Sequence, residues 1–439
     1  MRPKSAVEPA LVSPPAFLRR AVDVRSEEVA ALLLSFAYFF SLLCGYYVLR
    51  PIRDEMGISQ GVDKLPILFT GTFVAMAFAS PVFGWLASRW PRHKLIPFAY
   101  HFFAADIVVF FALWKLGVGK HWVPFAFYIW AAVYNLFVTS VFWSFMTDVF
   151  ASEQAKRLFG FISAGGSCGA LAGPLLTTWL AKPLGGANLL LVSALLLEVS
   201  VGCVLLLSRW ARRHPTRHAA SQTVHRTEQA VGGTVWSGIK PVLASPYLIA
   251  SAVYILLLTV ANTFLYFQQA QLVTAATLDR NARTALFARI DLIVNVCTLL
   301  LQTAVTGHVL KRLGVSVGLG IAPAISAAGY ALLGVWPVLA VLAPFQGIRR
   351  AAQYAILRPS REMLFTVVSR EERYKSKNFI DTVVFRAGDM LSGWVYASLT
   401  GLGLGFKGTA FVSVPMSLVW LALGVYLGRE QRRRAGEAR

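Results

Sequence analysis

Apolar residues fall along the chain in twelve long runs separated by short polar segments. The runs cover 27–49, 65–88, 95–116, 122–147, 158–181, 187–208, 246–270, 285–310, 316–336, 338–360, 378–402 and 408–428. Each is close to the ~20 mostly apolar residues that a helix needs to cross a hydrocarbon core. The longest internal polar segment, 209–245, divides them six and six. The pattern predicts an all-α membrane protein of twelve transmembrane helices in two six-helix bundles, 27–208 and 246–428. A polar tail (1–26), a central basic loop (209–245) and a basic tail (429–439) complete the organisation. The first 26 residues lack a short apolar core followed by a small-residue cleavage pattern, so they read as a tail.

Charge orients the spans. Lys and Arg number 42 against 21 Asp and Glu. With both termini cytoplasmic, the basic residues favour that side by about three to one, which predicts an N-in, C-in topology. Only 14% of residues are charged and 56% are hydrophobic, which excludes an ordinary soluble enzyme and a disordered chain. The basic residues sit between apolar runs, not on one face of a soluble module, so nucleic acid is not an expected partner. The lipid bilayer is. The four cysteines lie inside apolar stretches without ligand spacing and read as small buried hydrophobes.

Six plus six spans is the layout of the major facilitator fold, whose halves are repeats. A weak repeat agrees with it. At an offset of 219, Glu153 and Lys156 match Glu372 and Lys375, Gly169 matches Gly388, and Tyr47 matches Tyr266. After the second span, Gly84-Trp-Leu-Ala-Ser88-Arg89-Trp-Pro91-Arg92-His-Lys94 looks like the major facilitator loop signature. Ser88 stands at its usual Asp and Pro91 at its second Gly. Positive-inside bias alone accounts for the segment equally well.

Motifs for hydrolysis, nucleotide cleavage and zinc chemistry are missing. No enzymatic activity, cofactor or metal is expected. His214, His218 and His225 in the central loop have mixed spacing and read as solvated residues. Gly401, Gly403 and Gly405 form a turn. Gly165, Gly169 and Gly173 recur every four residues, a spacing for close helix approach, with a rocking interface between the halves as the functional version.

Intramembrane ionisable residues are costly and by default mark function. The first span ends Tyr47-Val-Leu-Arg50-Pro51-Ile-Arg53-Asp54-Glu55, with Arg50 and Arg53 three apart on one helical face. Snorkelling arginines anchoring a helix end are the plain alternative. The eighth span holds Arg289, Asp291 and Asn295; the tenth holds Gln346, Arg349, Arg350, Gln353 and Tyr354. In the eleventh, Asp381 is followed by Arg386 and Asp389, whose spacing also fits a structural ion pair. Asp106 and Glu198 stand as lone acids in the third and sixth spans. Arginine outnumbers acid in this interior, and guanidinium forks match phosphate or carboxylate. The residues therefore point to a secondary transporter for an organic anion, best a phosphorylated one. Candidate substrate ligands are Tyr47, Arg50, Arg53, Arg349, Arg350, Gln353, Tyr354 and Arg386. Candidate counter-charges or coupling groups are Asp54, Asp291 and Asp389.

Three blocks carry a family resemblance. They are Tyr47-Val-Leu-Arg50-Pro-Ile-Arg53-Asp54-Glu55, then Phe142-Trp143 through Glu153-Gln-Ala-Lys156-Arg157-Leu-Phe159, then Ala352-Gln-Tyr354-Ala-Ile-Leu-Arg358-Pro359-Ser-Arg361-Glu362-Met363 with Lys375-Ser-Lys377-Asn-Phe-Ile-Asp381. Over most of 27–428 the chain resembles the nucleotide transporter family of ATP/ADP translocases, a divergent branch of the major facilitators. The resemblance implies exchange of ATP for ADP, or of other nucleotides, by alternating access. It places Arg53-Asp54 at the family's first-helix basic residue and acid. The chain departs from the translocases at the fourth and seventh helices, where their acids are absent, and at Asp389, where they carry a base.

Two other readings stand beside nucleotide exchange. One is a proton-coupled major facilitator for a different organic solute, with Asp106 or Glu198 carrying the coupling. The other is a non-transporting membrane assembly partner or sensor, with the basic loop Arg209–Arg226 on lipid head groups or a partner. The absence of a transit-type N-terminus favours a bacterial inner membrane. The oligomeric state is open, a monomer being sufficient.

Overall fold

The computed structural model describes residues 24–90, 92–213, 238–304 and 306–437. The N-terminal tail through residue 23, the histidine-bearing segment 214–237 and Pro91 lie outside the described residues.

The described chain is helical. The first nine long helices are α1 (Val29–Ile58), α2 (Leu65–Arg89), α3 (Arg92–Lys115), α4 (Trp122–Val149), α5 (Ser152–Leu184), α6 (Gly186–Arg213), α7 (Pro246–Ala276), α8 (Arg280–Ala304) and α9 (Thr306–Val335). There follow α10 (Leu339–Ala352), α11 (Arg358–Leu364), α12 (Arg370–Phe379), α13 (Phe385–Gly401) and α14 (Phe406–Glu437). Ten helices among the described residues are long and apolar enough to cross a membrane. Large apolar side chains such as Phe78, Trp179 and Leu195 stay exposed on them, as a lipid-facing surface requires.

The tenth and eleventh apolar runs are the two that differ from the sequence expectation. Each is broken by a π-helical turn, Gln353–Leu357 between α10 and α11 and Ile380–Val384 between α12 and α13. Charged and amide side chains crowd both runs, so neither is a single uniformly apolar helix. Single π-turns inside helices recur at functional sites.

Two hydrophobic cores form. One draws on residues between Val24 and Leu207, with Ala285 added; the other draws mainly on Val242 to Leu427. Ile58, Leu65, Leu68 and Tyr128 join the second core from the early helices. In the first core, Gly165, Gly169 and Gly173 lie against the α1 backbone at Phe36, Phe40 and Cys44. The stripe therefore packs α5 on α1 within one core, the close helix approach that its spacing predicts. Gly314 adopts φ +73, a conformation only glycine takes without cost, and breaks α9 just before its apolar stretch begins.

Trp210 donates to the Glu27 carbonyl, Arg434 lies over the Tyr247 ring, and Glu55 and Arg280 pair at the opposite ends of the helices, so the ends carrying residues 25, 213 and 437 fall on one side. That side is called here the termini side, and the opposite one the far side.

Candidate functional site

The polar end of α1 meets α8 and α10 near the middle of the bundle. Asp291 and Arg350 each lie eleven residues into helices that start on the far side, a depth of roughly 16 Å. Arg50 enters from α1 and sets Nη2 3.4 Å from Asp291 Oδ1. Arg350 brings Nη1 to 3.6 Å from the same oxygen. One carboxylate, only 3% exposed, thus serves two guanidinium groups from different cores. Its Oδ2 has no hydrogen-bond partner among the described residues.

Arg53 holds Asp54, its neighbour. Nε and Nη2 both donate to Asp54 Oδ1, at 3.0 and 2.6 Å. The Tyr266 hydroxyl of α7 donates to that same oxygen at 3.1 Å, and Tyr128 of α4 donates to Tyr266. The Arg53 guanidinium carbon sits 5.0 Å from the Tyr128 ring centroid, within cation–π range. Arg50 is placed in the same way over Tyr47 at 5.7 Å. Three guanidinium groups here face two carboxylates, so the cluster keeps a net positive charge.

Arg349 follows another course. It is 2% exposed, and Nε and Nη1 lack hydrogen-bond partners among the described residues. One turn before it, Gln346 Nε2 donates to Gln269 of α7. Arg289 lies on an exposed part of α8, outside the cluster.

A cavity of about 320 Å³ lies at the π-turns and along α11, whose last carbonyl, that of Leu364, accepts from the Tyr247 hydroxyl at the termini-side start of α7. Gln353, Tyr354, Arg358, Arg361, Asp381 and Arg386 line it with three apolar residues. Arg386 stands 3.9 Å from Asp389. Apart from Arg349, which is sealed away from both, the candidate residues separate into two groups. Tyr47, Arg50, Arg53, Asp54, Asp291 and Arg350 make the central cluster; Gln353, Tyr354 and Arg386 belong to the cavity, with Asp389 beside it.

The far side is tied shut across the two cores. Arg280, the first residue of α8, grips Glu55 of α1 with Nε and Nη2 at 3.0 and 3.2 Å. Trp394 donates to Thr70 at 3.0 Å, and the Gly186 backbone N–H donates to Asn281 Oδ1.

Asp106 and Glu198 are not lone acids. Trp130 Nε1 donates to Asp106 at 2.9 Å, and His101 Nδ1 lies 2.9 Å from Glu198 Oε1. Tyr128 and Arg280 were not legible in the sequence, since a tyrosine in an aromatic-rich helix and an arginine between two apolar runs carry no local signature. Arg358 and Arg361 were visible only as a family-like block.

A model described as Major Facilitator Superfamily matches residues 29–287. The chain is 22% identical to "ADP,ATP carrier protein 2" of Chlamydia pneumoniae, over 94% of this chain and 90% of that one. Among solved structures it is similar to a variant of the nucleoside transporter NupG, with TM-score 0.63, 12% identity, and 92% and 99% of the two chains covered. A POT family transporter in complex with 5-aminolevulinic acid gives TM-score 0.62 at 12% identity, covering 91% of this chain and 96% of that one.

Proposed function

The chain belongs to the Major Facilitator Superfamily, and from that premise we propose that it exchanges nucleotides of the ATP/ADP type, or another phosphorylated organic anion, by alternating access. Secondary transport and an integral membrane location follow from the family and its apolar helices; the substrate is the proposal. The observation that carries it is the sharing of Asp291 by Arg50 and Arg350 in a cluster with more guanidinium than carboxylate. Such a cluster recruits an anion, and guanidinium forks suit phosphate oxygens. The similarity along nearly the whole chain to an ADP,ATP carrier supports the nucleotide class.

In this reading a phosphate enters between Arg50 and Arg350 and takes over the partnership that Asp291 supplies in the unloaded carrier. Arg53 holds a second phosphate oxygen, with Asp54 as its resident counter-charge. Arg349 adds positive potential from behind. Tyr47 and Tyr354 offer ring faces, and Gln353 and Arg386 line the approach. Asp389 balances Arg386. The far-side tie of Glu55 to Arg280 opens as the two bundles rock about the cluster. Twelve spans, bundles at 27–208 and 246–428, cytoplasmic termini and a bacterial inner membrane are part of the same proposal. A monomer suffices for it.

The test is thermal unfolding of the detergent-solubilised protein with ATP, ADP, sugar phosphates and non-phosphorylated anions. A ligand that binds only the folded state raises the melting temperature by mass action. Stabilisation of wild type by ATP or ADP, lost in Arg53→Ala and Arg350→Ala, is the expected result, with liposome counterflow to follow. Stabilisation by non-phosphorylated anions alone overturns the substrate class.

A further inference from the structure

We propose that the termini-side cavity is a second phosphate-binding station, formed by Arg358, Arg361 and Arg386, that receives the anion before the central cluster does. This rests on the anion-carrier reading and adds a sided step to it.

The charge of the cavity lining is the first argument. Three arginines face it and one carboxylate, Asp381. Asp381 is held by Arg361 at 3.1 Å. Glu362, the next acid, is bridged to Lys377 and lies 3.8 Å from Arg361. Arg361 keeps a buried Nε without a hydrogen-bond partner among the described residues. Arg358 is exposed and makes no ion pair within 4 Å among the described residues. Arg386 reaches Asp389 only at 3.9 Å. A concave, partly apolar site with surplus guanidinium concentrates anions from solution.

Shape and position supply the second. The volume of about 320 Å³ fits a small phosphorylated compound. Both π-turns border it, so its two walls are the places where the second bundle departs from regular helix. Arg358 follows Arg350 by eight residues along the same helical course, a rise of about 12 Å. An anion leaving the cavity thus needs one short step to reach the central arginines. Tyr354, 45% exposed and lining the cavity, lies between them in sequence.

The station acts from one side only, and that separates it from the central cluster. Arg358→Gln is the clean variant because Arg358 forms no ion pair within 4 Å among the described residues. Two measurements are made on the full chain. In detergent, inorganic pyrophosphate is titrated against thermal unfolding. Its apparent affinity is expected to fall about fivefold in Arg358→Gln and in Arg386→Gln, the size of one exposed charge contact. In proteoliposomes of known orientation, KM for the transported compound is expected to rise about fivefold on the termini side and to stay unchanged on the far side. Arg358→Lys should recover part of both. Equal KM changes on both sides, or unaltered pyrophosphate affinity, overturn the station. If no phosphorylated compound is transported at all, the carrier reading fails, and the pyrophosphate titration still decides whether the cavity binds phosphate.

Discussion

Asp291 Oδ1 lies 3.4 Å from Arg50 and 3.6 Å from Arg350, so one buried carboxylate joins the first helix to the tenth. Removing its charge leaves two guanidinium groups facing each other in a desolvated space. Breaking a buried ion pair from one side costs about 3–5 kcal/mol. Asp291→Asn should therefore melt several degrees below wild type. A bound phosphate compound should restore more stability to the variant than it adds to wild type, since it supplies the missing anion. The double variant Arg50→Gln/Asp291→Asn should recover part of the loss, which a double-mutant cycle reads directly. Wild-type melting of Asp291→Asn would remove the carboxylate from its assigned role.

Arg53 donates two hydrogen bonds to one oxygen and stacks on Tyr128. Lysine keeps the charge and loses both the fork and the planar face. Arg53→Lys should raise KM for the transported compound by about tenfold, equivalent to ~1.4 kcal/mol. Tyr128→Phe removes only the hydroxyl that reaches Tyr266 and should cost less. Uptake into proteoliposomes checks both. Equal transport by Arg53→Lys and wild type would mean that charge alone is used there.

How far these features could be read from the chain depended on their range. The apolar runs and the Lys/Arg bias are local or summed signals, and ten of the twelve runs appear as long apolar helices. The π-turns at Gln353 and Ile380 were not legible, because a single extra residue per turn leaves no composition signal. At the site, surplus buried arginine was legible and its division into two groups was not. Arg349 and Arg350 are adjacent in sequence, yet one is sealed in the core and the other faces Asp291. Asp106 looked solitary because its partner, Trp130, lies in another helix.

Glu55 and Arg280 close the far side through one two-point ion pair that crosses the cores. Arg280 is 46% exposed while Glu55 is buried, so solvent screens the pair from one side only. Glu55→Gln should shift the balance toward far-side opening about fivefold. The labelling rate of a Ser59→Cys reporter with a membrane-impermeant maleimide measures it. The charge-swapped pair Glu55→Arg/Arg280→Glu should return the rate toward wild type. Unchanged labelling in all variants would show that the latch lies elsewhere.

Gly169 and Gly202 make a paired test of helix approach. A Cβ at Gly169 would meet the α1 backbone at Phe40 and Cys44, and rigid backbone cannot move aside as a side chain can. A Cβ at Gly202 would meet nothing within 4 Å. Overpacking a tight contact costs about 1–3 kcal/mol. Gly169→Ala should lower the melting temperature or the yield of folded protein, while Gly202→Ala should do neither. Equal behaviour of the two would show that α1 and α5 are less closely packed than drawn.

Asp106 and Glu198 decide between anion exchange and proton coupling. Both lie in apolar helices, yet each already has a polar partner, Trp130 for one and His101 for the other. Neither is among the residues of the central cluster or the cavity lining. The His101 and Glu198 side chains are 57% and 42% exposed, on α3 and α6 rather than at the central cluster. A proton-coupling group has to sense the substrate or the conformational change through direct contact or shared charge, and these acids have neither link to Arg50 or Arg350. Asp106→Asn and Glu198→Gln should therefore leave counterflow of a phosphorylated compound within about twofold of wild type, as surface changes away from a site do. The assay is counterflow with and without an imposed pH gradient. Loss of gradient-driven uptake in Glu198→Gln, with counterflow intact, would establish proton coupling through that acid and displace the exchange mechanism.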